Sequence, residues 1–154
     1  QPIVTQNVIA VIDSGLPEKI KLSLDSDIPN LMNYFEQRLG ELEGVKPTLF
    51  ASYANIDGHS SQGGTLSNQI FMHWNLNNLN EKVTDNKFLN NTIWFFAHEV
   101  AHLYQRSSQG ETYGERHESW LHEGHADWSA TLALLELYPE TSEYVANKIN
   151  RFRR

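Results

Sequence analysis

Two histidines and a glutamate, in the order His98-Glu99-Val100-Ala101-His102, lie inside the apolar run from Phe88 to Tyr104. Residues four apart on an α-helix stand one above the other on the same face. On a helix, His98 and His102 therefore offer two imidazoles to one cation. Glu99 projects beside them, within reach of a water on that cation. The chemistry such a set performs is hydrolysis at a catalytic zinc. The same five residues also fit a helix with two surface histidines, so the surrounding chain has to decide.

The surroundings predict a helix. Ile93, Phe96, Ala97, Val100, Ala101 and Tyr104 recur at three- and four-residue steps and form one apolar stripe. Asn90, Asn91 and Thr92 supply N-cap residues at its front, and Ser107 to Gly110 reads as its stop. Trp94, Phe95 and Leu103 add apolar surface beyond that stripe, so the helix is expected to be buried on several sides. Buried imidazoles need partners, because an unsatisfied polar group costs about 1–3 kcal/mol. A metal supplies one partner to each ring.

A second helical run starts at Trp120-Leu121-His122-Glu123-Gly124-His125-Ala126-Asp127-Trp128 and continues to Leu137. Catalytic zinc takes three protein ligands and keeps a fourth position open. Glu123 is the expected third ligand. Asp127, four residues on, shares its face and is placed to accept the free ring N–H of a ligating histidine. The alternative use of these carboxylates, complementing a helix macrodipole, accounts for Glu123 but leaves Asp127 and the histidine pair unconnected.

His98-Glu99-x-x-His102 on one helix, followed by Glu123 on the next, resembles the gluzincin zinc metallopeptidases, among them thermolysin and the aminopeptidases related to leukotriene A4 hydrolase. The Glu123-x-x-x-Asp127 pair looks like the thermolysin arrangement, and Trp120 to Ala126 is similar to the W-L-N-E-G-F-A stretch of the aminopeptidase branch. The resemblance covers roughly residues 63–137. It implies a zincin-like α+β domain, a small mixed sheet whose edge strand lines the cleft, packed on the two metal-bearing helices. It further implies one zinc ion, Glu99 as general base, and a peptide or protein substrate. The Gly63 to Asn68 stretch occupies the place where the edge strand of that family pairs with substrate backbone; a plain hairpin is the alternative reading. No Glu stands between Gly63 and Asn80, so the amine-holding residue of the aminopeptidase branch has no counterpart, and endo- versus aminopeptidase action stays open. Tyr113 and His117, between the two helices, are the local candidates for an oxyanion donor. His122 and His125 read as structural or outer-shell residues, and His59 and His73 as surface or packing residues.

The rest of the chain has to position these groups. Its 154 residues suit a single domain, 1–154, either a processed mature chain or a fragment lacking most of a C-terminal subdomain. Apolar content of 40% with 20% charge marks a globular chain with no membrane-spanning run. A net charge of −7 argues against nucleic acid as a partner, and the absence of cysteine excludes disulfides and thiolate zinc sites. Val4 to Leu24 reads as two extended segments around a turn at Ser14 to Pro17, the first of which can belong to the edge of a preceding domain. Asp25 or Asp27 is placed to cap a helix from about Ile28 to Leu42, ended by Gly44. Val45 to Ile56 reads as a strand, Asp57 to Gly64 as a loop and Thr65 to Leu76 as a second strand. Beyond the break at Tyr138-Pro139, Thr141 caps a last helix whose basic end suits a helix C-terminus.

Two functional classes follow. One is a zinc-dependent peptidase. The other is a non-catalytic metal- or peptide-binding domain, or one whose cleft is completed by an additional domain or partner. Glu99 favours the first, since holding a metal does not itself require a carboxylate there.

Overall fold

Five strands make one mixed sheet on which the helices lie. The computed structural model describes the chain apart from residues 1, 6, 43, 45, 58, 67, 110–115 and 153–154 and the side chains of 59–60, 106–109, 116–122 and 152. The strands are β1 (Ile3–Val4), β2 (Ile9–Ile12), β3 (Thr48–Ala54), β4 (His59–Leu66) and β5 (Gln69–Leu76), in the spatial order β1-β2-β3-β5-β4. The β2–β3 and β3–β5 pairs are parallel; β1 and β4 run antiparallel to their neighbours. The helices are α1 (Glu18–Leu39), α2 (Leu79–Lys82), α3 (Asn86–Gln109), α4 (Arg116–Leu137) and α5 (Ser142–Phe152), with a 3-10 turn at Pro139–Thr141 before α5. The architecture is α+β. Among the described residues, no helix is long and apolar enough to cross a membrane.

Alternation along β5 shows how the sheet is used. Ile70, Met72, Trp74 and Leu76 are buried beneath the helices, whereas Phe71, His73 and Asn75 point to the other face. Each large apolar side chain removed from water in this way contributes about 1.5–3 kcal/mol. On the open face the Phe71 ring stacks on Phe50, with centroids 5.5 Å apart. His73 lies there too, its ring nitrogens 2.6 Å from Ser52 Oγ and 2.9 Å from Asn75 Oδ1, in keeping with a surface histidine.

Several boundaries differ from the sequence reading, each for a local reason. Ile20 to Leu24 is helical, not extended. Ile20, Leu24, Ile28, Leu31 and Phe35 form one buried line at helical spacing, while Leu22, which made the segment look alternating, is 58% exposed. Burial along this line carries α1 through Pro29, and the helix ends at Gly40, with φ 92°, rather than at Gly44. The segment read as a possible outlier, β2, sits between β1 and β3 in this sheet. His59 to Gly64 is strand rather than loop, and between β4 and β5 Asn68 takes φ 60°. Asn90 to Thr92 lies inside α3. Asp85 caps that helix instead, its carboxylate accepting the Lys87 N–H at 3.0 Å. Helix α4 begins at Arg116, earlier than Trp120. Thr141 precedes α5, but its hydroxyl donates to the Tyr138 carbonyl.

Helix α3 is the centre of the molecule. It packs on α1, α4, β4 and β5, and Phe96, Ala97, Val100 and Ala101 are completely buried. Fully buried alanines on α4 (Ala126, Ala130, Ala133) match Ala97 and Ala101 on α3. Short side chains let two helices approach closely, which brings a carboxylate on one within reach of imidazoles on the other.

Candidate metal centre

Helix α3 carries His98, Glu99 and His102, and α4 carries Glu123 and Asp127. The fold brings the expected ligands together. His98 Nε2 lies 3.0 Å from Glu123 Oε2, His102 Nε2 lies 2.9 Å from Glu123 Oε1, and the two Nε2 atoms are 3.1 Å apart. One donor atom from each residue falls within 4.8 Å of the others, so the group can hold a metal ion. A direct test of fit is the edge of the donor triangle. Tetrahedral donors about 2.0–2.1 Å from a common ion stand about 3.3 Å from one another. The edge between the two imidazoles, 3.1 Å, is within a few tenths of an ångström of that value, and each imidazole stands at a similar distance from a different oxygen of the Glu123 carboxylate. Both rings present Nε2 inward, and with one carboxylate they form a nitrogen–oxygen donor set of the kind zinc accepts.

The outward nitrogens are also engaged. His98 Nδ1 approaches Asp127 Oδ1 at 2.8 Å, although the N–H is not aimed well enough at that oxygen to make a good hydrogen bond. This is the place expected for Asp127. On the other ring, His102 Nδ1 donates to Gln105 Oε1 at 3.0 Å, and the Gln105 amide nitrogen donates to His125 Nδ1 at 2.5 Å. One imidazole therefore leans on a carboxylate and its neighbour on an amide that a further histidine holds. Both arrangements leave Nε2 unprotonated and free to ligate.

Electrostatics separates the two histidines. Burial works to depress the pKa of His98, but the Asp127 contact and the charges of Glu123, Asp127 and Glu99 together outweigh it and raise the value above 6.5. His102 moves the opposite way, lowered first by burial and then by the charge of His98, against smaller raising effects of Glu123 and Glu99.

Glu99 reaches the sheet at β4 and stays near enough to both imidazoles for its charge to act on them. Only 6% of it is exposed, and Thr65 Oγ1 on β4 lies 2.7 Å from its Oε2 and 3.0 Å from its backbone oxygen. The single hydroxyl proton of Thr65 is thus divided between side chain and backbone, and it fixes the carboxylate. Two residues earlier on β4, Gly63 faces the same helix. A Cβ at Gly63 would sit 2.2 Å from the nearest Phe95 ring atom and 3.2 Å from Glu99 Cδ, so glycine is what lets β4 lie this close. Because β4 is the last strand of the sheet, its outer edge runs past the Glu99 side of the centre.

The remaining expectations divide. Tyr113 and the side chains of His117, His122 and His59 lie outside the described residues, so no donor for an oxyanion is placed by either candidate. His125, read as structural or outer-shell, is the outer prop of Gln105. Sequence reasoning missed Gln105, and it placed Gly63 and Thr65 in the edge strand without their contacts to α3. Gln105 could have been found, since it lies three residues after His102 on the same helical face. Thr65 acts through a contact 34 residues distant in sequence, which no local spacing reveals. Replacing Gln105 with Leu is expected to weaken zinc binding about 10- to 100-fold, as removal of an outer partner of a ligating histidine does. Competition against a chromogenic chelator measures it, and unchanged affinity would show that the amide does not orient the ring. Comparison with protein-family models, curated proteins and solved structures finds no match to this chain.

Proposed function

We propose that the protein is a zinc-dependent peptidase of the gluzincin type, with His98, His102 and Glu123 as metal ligands and Glu99 as general base. The observation that carries this reading is the combination of a metal-sized donor triangle with a buried carboxylate one residue from a ligand, held by Thr65 rather than spent on the ion. A divalent ion bound there supplies Lewis acidity toward a water and a carbonyl oxygen. Glu99 accepts a proton from the attacking water and returns it to the leaving amine as the C–N bond breaks. Asp127 and Gln105 hold the two imidazoles, and the Thr65 hydroxyl keeps the base from rotating away. Among the described residues no strand pairs with the outer edge of β4, which flanks Glu99 and suits an extended peptide that adds as a further strand. A purely metal-binding role leaves the buried, oriented Glu99 carboxylate unexplained.

The test is a mixture of unstructured peptides digested by the zinc-loaded protein and read by mass spectrometry. New termini should appear, and a chelator should abolish them. No cleavage by a preparation carrying one zinc per chain would overturn the peptidase reading.

A further inference from the structure

A groove of about 820 Å³ opens between the first half of α3 and helix α5, lined among others by Lys87, Asn91, Tyr144, Asn147, Lys148 and Arg151. Its position relative to the metal centre follows from helix geometry. Lys87, Asn91, Trp94, His98 and His102 succeed one another at steps of four, three, four and four residues, so they mark one stripe along α3. The groove is the continuation of the stripe that carries both histidine ligands. At 1.5 Å per residue, Asn91 lies roughly 10 Å along the helix from His98, about three residues of an extended peptide. Trp94 joins the two regions. Its ring stacks on His98 with centroids 5.4 Å apart, and Lys148 Nζ sits 3.5 Å from the centre of the same ring.

Charge is distributed unevenly here. The chain has 12 Lys and Arg against 19 Asp and Glu. The groove reverses that balance, with four cations (Lys82, Lys87, Lys148, Arg151) to three carboxylates (Asp85, Glu140, Glu143). Asp85 is already committed to capping α3. Among the described residues, no carboxylate lies within ion-pair distance of Lys148 or Arg151. Burial lowers the pKa of Lys148, opposed by the charge of Asp127 and helped to a smaller extent by that of Arg151. Tyr144 donates to Asn91 Oδ1 at 2.6 Å and braces the two walls.

We infer that this groove is a substrate subsite for a carboxylate, held by Lys148 and Arg151, and that it selects peptides bearing an acidic side chain or their own C-terminal carboxylate about three residues from the bond to be cut. The inference rests on the peptidase reading for its link to cleavage, but binding can be read separately. Lys148 and Arg151, three apart on α5, present two cations to one anion, and Asn91 and Asn147 add amide groups beside them. The Trp94 face holds Lys148 in place when the anion is absent.

The experiment uses zinc-loaded Glu99→Gln protein, ¹⁵N-labelled, titrated with short peptides of one neutral sequence. One set carries an amidated C-terminus, a second a free carboxylate, and a third an amidated end with a single Glu moved through each position. Either the free carboxylate or one Glu position should bind at least tenfold more tightly than the neutral peptide and shift the resonances of Lys148, Tyr144 and Asn147. Lys148→Met and Arg151→Met should each erase that difference while the neutral peptide binds as before. Equal affinity for acidic and neutral peptides, or a preference that survives both substitutions, would overturn the subsite. The two readings separate cleanly. Cleavage by the wild type that is indifferent to charge removes the subsite and keeps the peptidase. Acidic peptides that bind in the groove and are never cut by the wild type do the reverse.

Discussion

Glu99→Gln is expected to bind one zinc as the wild type does and to hydrolyse peptide bonds about 10²- to 10⁴-fold more slowly, the usual worth of a general base. The amide has the size and shape of the carboxylate, so it fits the buried space between α3 and β4. Its oxygen can still accept the Thr65 proton, which reaches the wild-type carboxylate at 2.7 Å. What disappears is the capacity to take a proton from water. Metal content and turnover should be measured on the same preparation. Unchanged turnover would remove Glu99 from the mechanism, and loss of the metal would make it a structural residue instead.

His102→Ala is expected to lose stoichiometric zinc. It deletes one corner of the donor triangle and strands Gln105, whose amide carbonyl accepts the ring N–H. The loss should exceed the roughly 10- to 100-fold cost of removing an outer partner. Thermal unfolding gives an independent reading. Zinc at about a thousand times its Kd stabilises a protein that binds it only when folded by about 4 kcal/mol. For a chain of this size that raises Tm by roughly 10 °C. The wild type should show this increment and His102→Ala should not. Equal increments in both would mean that zinc binds elsewhere.

Much of the centre was legible before any coordinates. Spacing of four on a helix fixes which side chains are neighbours, so His98 with His102, and Glu123 with Asp127, could be paired from sequence alone. That the two pairs meet depends on α3 and α4 crossing closely, and the sequence carries only the buried alanines as a hint of it. The α+β class came from the family resemblance and the structure agrees with it, while the clean alternation of burial along β5 did not show in its sequence. Where local patterns serve two structures, the reading failed. Ile20 to Leu24 fits a period of two as well as a period of four, and only burial of Ile20 and Leu24 against exposure of Leu22 decides between them. The strand character of His59 to Gly64 is set by pairing with β5, residue against residue from His59 opposite Leu76, in a stretch whose Gly and Ser content reads locally as a loop. The hold of Thr65 on Glu99 and the passage of Gly63 over Phe95 arise from that same pairing, out of reach of any spacing rule.

The most direct measurement is X-ray absorption at the zinc edge on wild-type protein stripped of metal and reloaded with one equivalent of zinc. The expected spectrum shows two imidazole nitrogens and carboxylate oxygen about 2.0–2.2 Å from the metal, whereas His102→Ala, which no longer holds stoichiometric zinc, should show only hydrated zinc. Zinc that stays surrounded by water oxygens alone, with the same spectrum in wild type and variant, would contradict a centre built from His98, His102 and Glu123.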